Sequence, residues 1–461
     1  MIRFIFYLVS IGLLFSCKKQ SSPSPLPPPP GNFVVSNIAV DGAGSATQFD
    51  YKIATVQPTI KFTFSTPVKT VNAASFFSIK NASGTNIPFA VRAENNNSVL
   101  WIQPTESLKS YSKYTVSLAS GLVAENGSKL EFPVQLTVTT SFDSSDKFAA
   151  ISDNALLDLV QQQTFKYFWD FGHPVSGLAR ERNTSGDVVT TGGSGFGIMT
   201  IVVAVNRQFI TRNDGLNRMQ KIVDFLKNKA QKFHGAFPHW INGVTGGVVP
   251  FSTKDNGADL VETSLLMQGL LTARQYFDGN NPVETTLRND INDIWNGVEW
   301  SFFRKGGENV LYWHYSPNYL WEINLPIRGW NEALITYVLA ASSNNYSIPK
   351  VVYDNGWAAN GAIKNGATYY GIPLPLGPSY GGPLFFSQYS FLGIDPNGLS
   401  DAYATYLLQN KNHTLINQAY CKANPKNFIG YSEACWGLTA SDDNKVGYLA
   451  HDPVNDDGVI S

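Results

Sequence analysis

The segment Lys254-Asp255-Asn256-Gly257-Ala258-Asp259-Leu260-Val261-Glu262 carries three carboxylates at i, i+4 and i+7, directly ahead of an apolar run that reads as helix. On a helix this spacing sets Asp255, Asp259 and Glu262 on one face near the N-terminus, where the backbone dipole favours anions. Acids gathered beside aromatic segments suit cleavage of a glycosidic bond, which needs one proton donor and one carboxylate that activates water. A structural reading competes: Asp255 as an N-cap, with Asp259 and Glu262 as first-turn acids on a solvated face.

Three further segments gather groups of the same kind. Arg328-Gly329-Trp330-Asn331-Glu332-Ala333 puts a cation, an indole, an amide and a carboxylate at the start of another predicted helix, where Glu332 is either functional or an ordinary first-turn acid. Polar and aromatic groups concentrate again from Tyr431 to Asp442, with Glu433 and Trp436 among them. Thr191-Gly192-Gly193-Ser194-Gly195-Phe196-Gly197 opens a helix, yet lacks the Lys of a phosphate loop and a parallel strand before it. It therefore reads as a tight turn that lets substrate approach the backbone around Gly195 and Phe196. Trp240, Trp313, Trp330 and Trp436 can stack on sugar faces or fill the core, and their residue type does not separate the two. No metal and no cofactor are expected: the six His form no close pair with Cys, and His234 and His239 flank an aromatic segment without a third ligand nearby.

These segments need a scaffold, and the periodicity changes along the chain to supply two. From Asn32 to about Phe142 the pattern alternates: Ile60, Phe62 and Phe64 against Lys61, Thr63 and Ser65, with further strands at 99–102, 114–118 and 136–139. This predicts an antiparallel β-sandwich of immunoglobulin size over 33–142, a spacer with no catalytic cluster. After Ser144-Ser145-Asp146 the period becomes helical. Ser152 or Asp153 caps a stripe of Leu156, Val160, Tyr167, Phe168 and Phe171, and similar stripes follow around 198–210, 214–230, 258–277, 283–303, 327–343, 346–363 and 398–411. Long loops rich in Gly, Trp, Tyr and Pro separate them, as expected where loops at one end build a cleft. The class is therefore multidomain: an Ig-like sandwich followed by an all-α domain over 150–461, best fitted by helices paired around a cavity in an α/α toroid.

The N-terminus predicts compartment. Arg3, the apolar run from Phe4 to Leu14 and Phe15-Ser16-Cys17 make a secretory signal over 1–17, too short to span a membrane. Leu14 to Cys17 looks like a bacterial lipobox, which makes Cys17 the lipidated residue and membrane anchor. Residues 18–32 are Pro-rich and favour an extended polyproline tether. Lys18 and Lys19 follow the Cys without an acidic run, so among outer-membrane lipoproteins a periplasm-facing anchor is preferred to one at the cell surface. Net charge is -1, and 15% of residues are charged, which leaves no footprint for nucleic acid. In an oxidising periplasm Cys421 and Cys435 could pair or stay free.

Taken in order, Thr191 to Gly197, Asp255 to Thr263, Gly329 to Glu332, Pro383 to Gly393 and Glu433 to Asp442 resemble the glycoamylase-like domain of glycoside hydrolase family 144. The resemblance covers about 150–461 and implies an (α/α)6 toroid acting as a monomer on a glucan, with β-1,2-glucan the expected substrate and inversion the expected outcome. It also implies that Asp259, Glu262 and Asp255 are acids important for activity and that Glu332 is the proton donor, with Arg328, Gln388 and Tyr389 near substrate. Gln388 departs from the family pattern, where His is expected. Val459-Ile460-Ser461 closes in a loop, whereas relatives continue through further helices, so the resemblance implies a toroid incomplete at its C-terminal end.

Overall fold

The computed structural model describes residues 32–443 and 446–460. The signal, Cys17 and nearly all of the Pro-rich tether lie outside the described residues. The chain divides into two compact units, 1–147 and 148–461.

The first unit is a sandwich of two four-stranded sheets. Its strands are β1 (Val35–Val40), β2 (Asp50–Ala54), β3 (Ile60–Phe64), β4 (Phe77–Asn81), β5 (Phe89–Glu94), β6 (Val99–Pro104), β7 (Lys113–Leu118) and β8 (Val134–Thr140), ordered β1-β3-β6-β5 and β2-β8-β7-β4. Alternation decides the inner face: Ile60, Phe62 and Phe64 are buried while Lys61 and Thr63 are half-exposed. One expectation needs correction, because β2 runs parallel to β8. That edge pairing joins strands far apart in sequence, which alternation within a strand cannot reveal.

The second unit is helical, with short strand pairs that pin its loops. In order it contains α1 (Asp153–Trp169), β9 (Val188–Thr190), α2 (Thr191–Asn206), α3 (Arg212–Asn228), β10 (Trp240–Asn242), β11 (Val248–Val249), β12 (Ala258–Asp259), α4 (Leu260–Tyr276) and α5 (Pro282–Asn296). There follow β13 (His314–Tyr315), α6 (Leu334–Ser342), α7 (Lys350–Asn355), β14 (Thr368–Tyr369), β15 (Ile372–Pro373), α8 (Tyr406–Ala423), β16 (Ala440–Asp443) and β17 (Gly447–Ala450). Local capping sets the starts: Ser152 caps α1, Thr211 and Asp214 form a reciprocal box on α3, and Asn281 caps α5 ahead of Pro282. Helix α1 buries only Phe165 and leaves Leu156, Leu157, Leu159 and Val160 exposed.

Helix α2 lies against α4 at backbone distance. A Cβ on Gly195 would stand 2.1 Å from the Leu265 carbonyl oxygen, and one on Gly269 would stand 2.2 Å from that of Gly195. The glycine-rich segment is therefore the first two turns of a helix, not a turn that receives substrate. Gly195 is buried in the helix–helix contact, while Gly193 lines the cavity described below.

Candidate active site

The spacing of the three acids suggests one helical face, but α4 starts only at Leu260, so Asp255 lies in the preceding loop and Asp259 is the N-cap. Its Oδ1 accepts the Glu262 N–H at 2.9 Å. An aspartate side chain that caps a helix cannot also sit inside it, which is why the i, i+4, i+7 geometry is not formed.

Two strand registers then bring histidines to this cap. β12 pairs with β13 so that Asp259 faces His314. β10 pairs with β9, Trp240 opposite Thr190, and the Thr191 N–H donates to the His239 carbonyl. Oδ2 of Asp259 lies 3.2 Å from Nδ1 of His239 and 3.6 Å from Nε2 of His314. The latter nitrogen is also 3.4 Å from Oδ2 of Asp255. Burial by itself would raise the Asp259 carboxyl, but the two imidazoles outweigh it and hold Asp259 well below the usual carboxylate range. Asp255 is raised by burial and by the Asp259 charge, against the pull of His314 and His239. For His239, burial disfavours the charged ring, yet Glu262, Asp259 and Asp255 push it up to about 10. His314 is raised in the same way, burial opposing and Asp259 and Asp255 prevailing.

The expectation that His239 has no further ligand group nearby is corrected: one atom each of His239, Asp255 and Asp259 falls within 4.8 Å of the others, a spacing that could hold a metal ion. Two imidazoles offset two carboxylates there, so ion pairing accounts for the arrangement. His234 goes elsewhere, bonding Glu299 at 2.8 Å and stacking on Phe302.

Glu262 and Glu332 face the open side. Both line a cavity of about 440 Å³ together with His239, Trp240, Phe251, Trp313, Tyr389, Phe196, Phe385, Glu181, Arg182 and Tyr448. Glu262 Oε2 accepts the Gly192 N–H at 2.9 Å. Burial and the Asp259 charge push its carboxyl up to about 7, with His239 and the Gly192 N–H working against them. Glu332 sits in a turn ahead of α6, not in the helix. Its carbonyl accepts the Ser390 hydroxyl, whose oxygen in turn accepts the Ile335 N–H at 3.0 Å, so the turn is held from outside the segment. Burial first, then the charges of Glu262 and Asp259, push Glu332 up to about 7, and only its own backbone N–H opposes them.

Of the residues expected at the site, Glu262, Glu332, Phe196, Trp240, Trp313 and Tyr389 meet in this cavity, and Asp259 and Asp255 stand behind it. The others do not line it. Trp330 is buried beside Trp357, Phe391 and Tyr406, because its large apolar ring fills the core below α6. Arg328 and Gln388 are exposed away from the cavity. Glu433 pairs with Lys422 at the surface, and Trp436 packs with Tyr420, Tyr431 and Leu438 in a separate small core. Cys421 and Cys435 are both free. Glu181, Arg182, Phe251 and Tyr448 were not legible as site residues. Arg182 pairs with Glu181 and with Asp442 on β16, and Asp442 at the end of the polar 431–442 segment was the one available hint.

A Cβ on Gly192 would stand 2.2 Å from Glu262 Oε2. Gly192→Ala is therefore expected to displace that carboxylate and lower kcat/KM by about tenfold or more, since small misplacements of reacting groups are costly. Tm should stay within a few degrees of wild type, because the clash is with a side-chain end.

Residues 36–143 match the family of bacterial Ig-like domains, and residues 324–461 match the family described as "Putative glucoamylase". An exo β-1,2-glucooligosaccharide sophorohydrolase from Parabacteroides distasonis is 47% identical over 334 residues, 68% of this chain and 46% of its own length. The chain thus spans about half the length of that curated relative. An endo-β-1,2-glucanase structure from Chitinophaga pinensis, in complex with sophorotriose and glucose, is 52% identical with a TM-score of 0.65, covering 68% of this chain and 77% of the other. A β-1,2-glucanase structure from Parabacteroides distasonis is 37% identical with a TM-score of 0.65, covering 93% and 60%. Identity of this extent to these hydrolases means that the chain belongs to the glycoamylase-like family, of the glycoside hydrolase family 144 type.

Proposed function

We propose that the protein hydrolyses β-1,2-glucan by an inverting acid/base mechanism in the cavity lined by Glu262 and Glu332. The observation that carries this is the pair Glu262 and Glu332: two half-buried carboxyls, both raised to about 7, facing one aromatic-walled cavity. Like charges in a buried site resist double ionisation, so at neutral pH the pair tends to share one proton. His239 and the Gly192 N–H stabilise the ionised form of Glu262, while no cation among the described residues acts on Glu332. The proton therefore resides on Glu332, which gives it to the leaving oxygen, and Glu262 takes a proton from the attacking water. Trp240 and Trp313 supply faces on which sugar rings stack.

The same reading takes the helical body as an (α/α)6 toroid; the close α2–α4 pair and the uncovered apolar face of α1 support it. It also takes the protein as a monomeric outer-membrane lipoprotein anchored through Cys17, with the glucan reached in the periplasm or at the cell surface.

Incubation with β-1,2-glucan, laminarin, starch and sophorose, with products resolved by size and anomeric form, tests the substrate and the stereochemistry. Release of short β-1,2-linked products with inverted anomers is expected. Cleavage of starch or laminarin in preference to β-1,2-glucan would overturn the substrate assignment.

A further inference from the structure

Asp259 is fully buried and does not line the cavity. Oδ1 is taken by the Glu262 N–H and Oδ2 by the two imidazoles, so bringing this carboxylate to a sugar or a water would mean undoing the first turn of α4. His239 has the complementary position. Its Nδ1 faces Asp259, its ring is wedged against Phe251 at 4.5 Å and edge-on to Trp240 at 5.8 Å, and it lines the cavity beside Glu262. The side chain keeps 23% exposure, and Nε2 has no hydrogen-bond partner among the described residues. An imidazole held at one nitrogen presents the other in a set direction, as a hydrogen-bonded histidine does wherever its tautomer matters.

We propose that His239 is a substrate-binding residue that donates its Nε2–H to a glucan hydroxyl at the cleavage point, and that Asp259 is its positioning residue and does not itself touch substrate or water. This rests on the glucan-hydrolase reading above. The groups facing the ring are Asp255 from the loop before β12, Asp259 and Glu262 at the head of α4, and His314 from β13. Three carboxylates against one other imidazole keep both ring nitrogens protonated through the neutral range, so the donor is always available. A hydroxyl oxygen accepts such a charge-assisted bond well, and neighbouring Glu262 can accept from the same sugar.

Two measurements test it. In the first, kcat and KM on β-1,2-glucan are compared for His239→Gln, Asp259→Asn and the double variant. Each single variant is expected to raise KM about tenfold, and the double variant should be no more than about threefold worse in kcat/KM than the weaker single, since the two residues act as one unit. Losses that multiply, or an unchanged KM in His239→Gln, would overturn the proposal. The second measurement needs no variant and no turnover: nitrogen-15 spectra of the His239 ring in the wild-type chain. Both nitrogens should remain protonated from pH 6 to 8, and added sophorose should move the Nε2 signal more than Nδ1; titration of the ring near 6.5 would overturn the positioning by Asp259. A chain inactive on every glucan but with this ring signature would sink the functional reading while leaving the Asp259–His239 pairing standing.

Discussion

Glu332→Gln is expected to lower kcat on an unactivated β-1,2-glucan by at least about a hundredfold, with substrate still bound, because the amide keeps the shape and cannot give up a proton to the leaving oxygen. The wild-type profile should carry the same signature: kcat falls as pH rises through about 7, where the Glu332 carboxyl ionises. Stability should fall with rising pH as activity does. With its value raised from an ordinary 4.5 to about 7, this carboxyl is protonated in the folded chain where the unfolded chain has already released the proton. Its contribution to stability is thus fully present below about 4.5 and is lost as pH climbs to about 7. Glutamine has no charge to bury, so the Tm of Glu332→Gln relative to wild type should rise between pH 5 and pH 8, by about 2 °C or more at the upper end. Calorimetry at the two pH values, run beside the activity assay, checks both halves. Activity within a few fold of wild type would move Glu332 to a structural role.

Gly269→Ala should be strongly damaging to the helical unit. The added methyl would stand 2.2 Å from the Gly195 carbonyl oxygen, and a backbone atom cannot rotate out of the way. Helices α2 and α4 must part, loosening the packing of Leu265, Leu266 and Leu270 along α4. Overpacking of a core typically costs about 1–3 kcal/mol, and a clash with backbone belongs at the upper end, so Tm should fall by about 6 °C or more. Activity should fall with it, since α2 begins at the Gly192 N–H that holds Glu262 on α4. Gly195→Ala, whose methyl would meet the Leu265 carbonyl at 2.1 Å, should behave alike. A thermal midpoint unchanged in both variants would mean that the two helices are not in backbone contact.

Much of the scaffold was legible because its signals are local. Period-two alternation located β3, β6, β7 and β8, a capping residue marked the start of α1, and helical stripes placed α3 and α5. Asp259, Glu262 and Glu332 stood out as carboxylates at predicted helix starts, and that much follows from residue type and neighbours along the chain. Where the reading went astray, the deciding contact was distant in sequence. The parallel β2–β8 pair, the glycines of α2 pressed on α4, and Trp330 in the core all depend on what lies across a packed surface.

The same division runs through the site. The sequence by itself determined that acids, aromatic rings and histidines would be available, and in which order. Only the tertiary structure decided which carboxylate faces solvent and which is locked away. Asp259 and Glu262 are three residues apart, yet one is held ionised by His239 and His314 while the other is raised to about 7 on the cavity wall. That difference comes from the β12–β13 register, which carries His314 to Asp259 from fifty-five positions downstream, and from the β9–β10 pairing that seats His239. Burial and electrostatic partners set a carboxyl's proton affinity, and both are sums over neighbours in space that no local pattern encodes.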